Sequence, residues 1–172
     1  MRRFLYVFFL VIAVNYGCEE ISKVEQEIEK INVDVNISRF DRELANATVD
    51  SISALKEKYP YLYPEQIPDS IWVAKLTDTL QVAIIKEIEA TFGDFKQQEA
   101  ELEDFYKHVK YYFPKENTQK VITVVSDVDY NYPVILTNEL LLLGLVNYLG
   151  EDHRFYAGFS DYIAAGLDKK YL

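Results

Sequence analysis

Apolar residues along this chain change their spacing several times, and each change marks a structural element. An unbroken apolar run, residues 4–14, follows Arg2 and Arg3. Over residues 19–31, Ile21, Val24, Ile28 and Ile31 recur at intervals of three and four, which line one face of a helix. Val33, Val35 and Ile37 then alternate with Asp34, Asn36 and Ser38, the period of a half-buried strand closed by Arg39-Phe40-Asp41. A short helix is predicted over 50–58. The segment from Tyr59 to Pro64 cannot continue it, because each proline biases its predecessor toward extended backbone. Asp69 and Ser70 offer caps for what the pattern predicts as the longest helix, with Trp72, Leu76, Leu80, Ile84, Ile88 and Phe92 at every fourth position and Gly93 at its end. A second helix over about 95–113 places Leu102, Phe105, Tyr106, Val109 and Tyr112 on one side, and Pro114 stops it. The short connection at Gly93-Asp94 predicts that the two fold back as an αα-hairpin.

Beyond Lys120 the pattern becomes that of strands. Val121–Val125 and Val134–Leu136 are β-branched runs on either side of a loop rich in turn formers, and they read as a hairpin or as neighbouring strands. The Leu-rich stretch 139–149 fits either a core helix or a strand extension, and a last amphipathic helix is predicted over 154–167. The fold class expected is α+β, helix-rich, with a long αα-hairpin packed on a small sheet. The end at Asp168-Lys-Lys-Tyr-Leu172, directly after an amphipathic stretch, suggests a chain that stops within a longer domain.

The first residues change this picture. A basic start, a short apolar middle and the small Gly17 before Cys18 have the layout of a cleavable secretory signal, and the run is too short for a membrane-crossing helix of about 20 residues. Cys18 is the only cysteine, so no internal disulfide can form, and it stands where lipoprotein processing attaches diacylglycerol. The expected organisation is a signal peptide over 1–17 and a single soluble domain over 18–172. Removing the leader takes away two arginines and no acids, moving the formal charge from -10 to -12, which disfavours nucleic acid as a partner.

Candidate chemistry is sparse. The two histidines, His108 and His153, lie far apart in sequence and form no His-Glu-x-x-His zinc motif. Asp127 and Asp129 follow an apolar strand two residues apart, a spacing that in extended chain puts both carboxylates on one face. The pair is similar to the Asp-x-Asp metal site of some sugar-nucleotide transferases, but acids that end a strand and enter a turn are the far commoner source of so short a motif. No Gly-x-Ser-x-Gly elbow or Gly-rich phosphate loop occurs, and no cofactor is implied. The Tyr-rich segments 59–63, 111–112 and 130–132 offer aromatic surface for sugar stacking, protein docking or simple packing.

Several segments then carry a resemblance. These are Val24 to Val35 with Arg39-Phe40-Asp41, Leu55 to Pro64, Pro68-Asp-Ser-Ile-Trp72, Tyr111-Tyr-Phe-Pro114, Val121-Ile-Thr123 with Ser126 to Tyr130, and Tyr148 to His153 with Phe155-Tyr156. In order and spacing they closely resemble the gliding-motility lipoprotein GldB family of Bacteroidetes, over essentially the whole chain after the leader. The resemblance implies an envelope lipoprotein required for surface gliding, with Cys18 as its lipid site. Family members look about twice as long, so this chain resembles their N-terminal half. Their remote similarity to predicted zinc-dependent proteases would place any metal motif beyond Leu172, and no catalytic residue carries over. The expectation is a non-enzymatic protein held at a membrane of the cell envelope, inner or outer, by its N-terminal lipid and touching other gliding-machinery proteins. An inactive or split zinc-peptidase-like or glycan-acting domain, and a periplasmic ligand-binding module, are the alternatives.

Overall fold

A computed structural model describes residues 22–172, so the leader and Cys18 lie outside the described residues. The described residues fall into two units, which meet between Asn32 and Val33. In the first, α1 (Lys23–Ile28) starts at Ser22, whose hydroxyl accepts the Glu25 N–H at 3.1 Å. It ends at Ile28, short of the Ile31 at which the predicted helix stops, and residues 19–21 of that prediction lie outside the described residues.

The second unit holds β1 (Ile37–Arg39), α2 (Phe40–Ala45), α3 (Ile52–Lys58), α4 (Asp69–Thr77), α5 (Thr79–Phe92), α6 (Lys96–Tyr112), β2 (Lys120–Val124), β3 (Val134–Leu136), β4 (Leu140–Gly144) and α7 (Asp161–Ala164). The α+β class and the small sheet are as the sequence predicts. The sheet runs β1-β2-β4-β3, with β1, β2 and β4 parallel and β3 antiparallel to β4. Thus β2 and β3 are not neighbours: β4, from the Leu-rich stretch, inserts between them, and the hairpin is β3–β4.

Register explains why β2 and β4 do not alternate. Ile37, Val121 and Leu141 stand side by side, and with Leu143 they pack against Ile84, Ile88, Phe92, Phe95 and Tyr106. Ile122, Val124, Leu140 and Leu142 face the other way, onto Phe40, Leu55, Tyr59, Tyr63 and Trp72. A sheet covered on both faces needs apolar residues at every position.

The predicted longest helix is two helices. Asp78 leaves helical geometry, with ψ 125°, and its carboxylate accepts the Gln81 N–H at 2.8 Å, capping α5. Leu80, within the supposed ridge, is exposed, while Ile84, Ile88 and Phe92 are buried. Among the described residues the longest helix is α6, and α5 reaches it through Gly93-Asp94-Phe95, where Gly93 (φ 47°) and Phe95 (φ 63°) both have positive φ. The predicted helix over 154–167 is also broken. A 3-10 turn at Arg154–Tyr156 and the four-residue α7 are separated by Gly158, at φ 98°.

One buried polar node ties these parts together. Asp41 is 2% exposed and receives both arms of Arg39, Nε to Oδ1 at 2.9 Å and Nη2 to Oδ2 at 2.7 Å, together with the Thr123 hydroxyl from β2. Arg39 also donates to the Gly93 carbonyl at 3.0 Å and lies over the Phe95 ring, 4.8 Å from its centroid. Arg42 adds a second donor to Gly93 and a bidentate pair with Glu89. The left-handed Phe95 is thus held by burial on one side and a guanidinium on the other.

Candidate functional site

Asp127 and Asp129 lie beyond the end of β2, in the loop before β3. Asn147, 1% exposed, anchors that loop: its Oδ1 accepts the Asp129 N–H at 2.9 Å and its Nδ2 donates to the Gly144 carbonyl at 3.1 Å. Gly144 leaves room for this, since a Cβ there would come within 2.9 Å of Asn147 Nδ2 and 3.2 Å of the Pro133 carbonyl. Asp129 Oδ1 accepts the Asn131 N–H at 3.0 Å, an Asx turn. Asp127 is exposed and lines a different feature, a cleft of about 270 Å³ formed with Phe40, Leu62, Tyr63, Trp72, Lys75 and Gln81. One carboxylate therefore shapes its own loop while the other borders a cleft.

Composition alone does not reveal that cleft. Tyr63 and Trp72 meet edge to face at 4.6 Å. Tyr63 Oη, Trp72 Nε1 and Gln81 Nε2 are buried with no hydrogen-bond partner among the described residues. Burial pushes the Tyr63 hydroxyl up to about 12. Across the Tyr-rich segments, Tyr59 and Tyr63 are core residues, whereas Tyr61, Tyr112, Tyr130 and Tyr132 are exposed.

The histidines have separate surroundings. His153 Nδ1 accepts the Phe155 N–H at 3.3 Å, capping a 3-10 turn, and its Nε2 stands 3.6 Å from Glu87 on α5, which also binds Arg154 at 2.9 Å. Partial burial raises the Glu87 pKa, but the Arg154 and His153 contacts outweigh it and leave the carboxylate below its ordinary value. His108 Nδ1 lies 2.8 Å from the Asp104 carbonyl oxygen one turn back, and 3.7 Å from that residue's carboxylate.

An apolar concavity lies elsewhere. A groove of about 500 Å³ runs between α6 and the β3–β4 hairpin, with Leu102, Phe105 and Val109 on the helix side and Val134, Leu136, Leu141 and Leu143 on the sheet side. Phe105 is 53% and Leu136 66% exposed, so these side chains are large, apolar and open to water. No described helix is long and apolar enough to cross a membrane.

These features define an α+β domain with a two-faced mixed sheet and an apolar groove at one sheet edge. The family described as gliding motility protein GldB matches residues 21–172, and the chain belongs to that family. No curated protein and no solved structure matches it.

Proposed function

We propose that this protein is a membrane-tethered envelope lipoprotein of the gliding apparatus, cleaved after Gly17, lipidated on Cys18, and working through contacts with other proteins of that machinery rather than through catalysis. The observation that carries the reading is the family match over residues 21–172. The leader pattern of the first seventeen residues and the solitary Cys18 support the tether. The exposed apolar groove supports contact with protein. A diacylglyceryl cysteine acylated also at its new amino terminus carries enough buried CH₂ groups, each contributing about 0.8 kcal/mol, to anchor durably.

Deletion of the gene tests this. Colonies are expected to stop spreading and to recover with the wild-type gene but not with Cys18→Ser. Full rescue by Cys18→Ser, with the chain made at normal level, would remove the lipid tether from the account.

A second reading, a periplasmic ligand-binding module, draws on the Tyr63–Trp72 cleft beside Asp127. Trp72 is the only tryptophan, so indole fluorescence reports on that cleft alone. A saturable change on titration with small sugars, abolished in Asp127→Ala with Trp72 still in place as the reporter, would favour this reading.

A further inference from the structure

The groove has a property that apolar exposure alone does not give. Beside it runs β3, the last strand of the sheet, and the bonds at its two ends fix which way its backbone faces. The Gly144 N–H donates to the Pro133 carbonyl at 2.9 Å, and the Thr137 N–H to the Leu140 carbonyl at 2.8 Å. Val134 opposite Leu143 and Leu136 opposite Leu141 are therefore non-hydrogen-bonded pairs, and only Ile135 opposite Leu142 turns its peptide groups toward β4. The N–H and C=O groups of Val134 and Leu136 consequently point outward, on the side where the sheet order places no further strand among the described residues. The side chains of the same two residues line the groove opposite Phe105 and Val109.

Two independent features thus call for one occupant. Outward-facing peptide groups two residues apart match the repeat of an extended chain, and the adjoining groove takes its alternate side chains. None of the three β3 residues is charged, so the edge lacks the lysine that commonly blocks strand addition. Charge narrows the choice further. The charged residues lining the groove, Glu101 and Glu116, are both acids, and neither carboxylate forms an ion pair among the described residues. Two copies paired across β3 would set these acids against their own counterparts in an already acidic protein, whereas a partner bearing lysine or arginine would neutralise them.

We infer that the β3 edge and its groove are a docking site for one extended segment of another protein, apolar at alternate positions and basic at its flank, which adds to the sheet as a fifth strand. The inference rests on the reading that this protein works through protein contacts, and it specifies what is contacted.

Calorimetric titration of the purified protein tests it. The probe is a short synthetic peptide in which valines alternate with serines behind a pair of lysines, with two controls N-methylated on alternate backbone amides in opposite phases. Saturable binding is expected, weakened at least tenfold by methylation in one phase and little in the other. Leu136→Pro deletes an outward N–H while leaving the bonds to β4 in place, and is expected to weaken binding to the same degree. Leu136→Asp serves if circular dichroism shows the proline variant misfolded. Glu101→Lys with Glu116→Lys should weaken binding and flatten its salt dependence. Absence of saturable heat, or equal affinity for all three peptides, overturns the inference. So does a dimer in sedimentation that Leu136→Asp dissolves, because a second copy would then cover the edge. A null titration beside a deletion strain that fails to spread removes the docking site and leaves the motility reading intact. A deletion strain that spreads normally removes the motility reading, whatever the titration shows.

Discussion

Replacing Asp41 by alanine should be among the most damaging single changes in this domain, although Asp41 touches no cleft or groove described above. The substitution removes a carboxylate that is 2% exposed, strands the Arg39 guanidinium and takes the acceptor from Thr123. Breaking a buried pair from one side costs about 3–5 kcal/mol, because a charge is left without its partner. Arg39 keeps its bond to the Gly93 carbonyl, its stacking on Phe95 and a side chain 14% exposed, so the lower end, about 3 kcal/mol, is the appropriate figure. With a urea m-value near 2 kcal/mol/M, the unfolding midpoint should fall by about 1.5 M. The melting temperature should fall by roughly 6–12 °C, at 2–4 °C per kcal/mol for a domain of this size. Urea titration followed by circular dichroism measures the first quantity and thermal melting the second. The double variant Arg39→Met with Asp41→Leu should recover most of the loss, since a buried pair replaced by apolar groups costs little. A single variant within about 1 kcal/mol of wild type, or a double variant as unstable as the single, would refute the idea that the node acts as a coupled charge pair.

Tyr63→Phe should stabilise the fold by about 1 kcal/mol at neutral pH, because it deletes a buried hydroxyl with no partner among the described residues. The same residue sets an alkaline response: its folded pKa of about 12 lies above the ordinary value near 10, so its contribution is intact below pH 10 and lost as pH rises toward 12, and Tyr63→Phe should flatten that decline in urea titrations over this range. Asp78→Ala should cost about 1 kcal/mol by uncapping α5, measurable as a lower urea midpoint, and Asp78→Asn should recover most of it. Gly144→Ala should destabilise by about 2 kcal/mol in the same assay, since its Cβ would press on Asn147 and on the Pro133 backbone.

The sequence was most legible where burial and spacing agree. Ile84, Ile88 and Phe92 are buried in the structure, and their period of four is enough to find α5. The same period carried back through Leu80 and Leu76 to Trp72 hides the break at Asp78. There the signal is a capping side chain, which apolar spacing does not register. β4 was ambiguous for a related reason: Leu140–Leu143 face apolar neighbours on both sides, and a continuous leucine run fits strand and helix alike. The helix predicted near the C-terminus fails at Gly158, whose positive φ no α-helix accommodates. Of the site residues, Asp127 was visible as one acid beside a turn. Its cleft was not, because Tyr63, Trp72 and Gln81 come from separate elements. The groove is harder still, since α6 and the β3–β4 hairpin meet only through the tertiary fold.

The sheet order also governs the sequence of events in forming this protein. The β3–β4 hairpin closes within a few residues of itself, whereas Ile37 must wait for Val121 before it has any strand to lie against. A chain that emerges amino end first, from a ribosome or an export channel, therefore carries its first strand unpaired until β2 has followed it out. During that interval the surfaces that will be buried are exposed, and a holding chaperone would have its longest access to the stretch nearest the amino terminus.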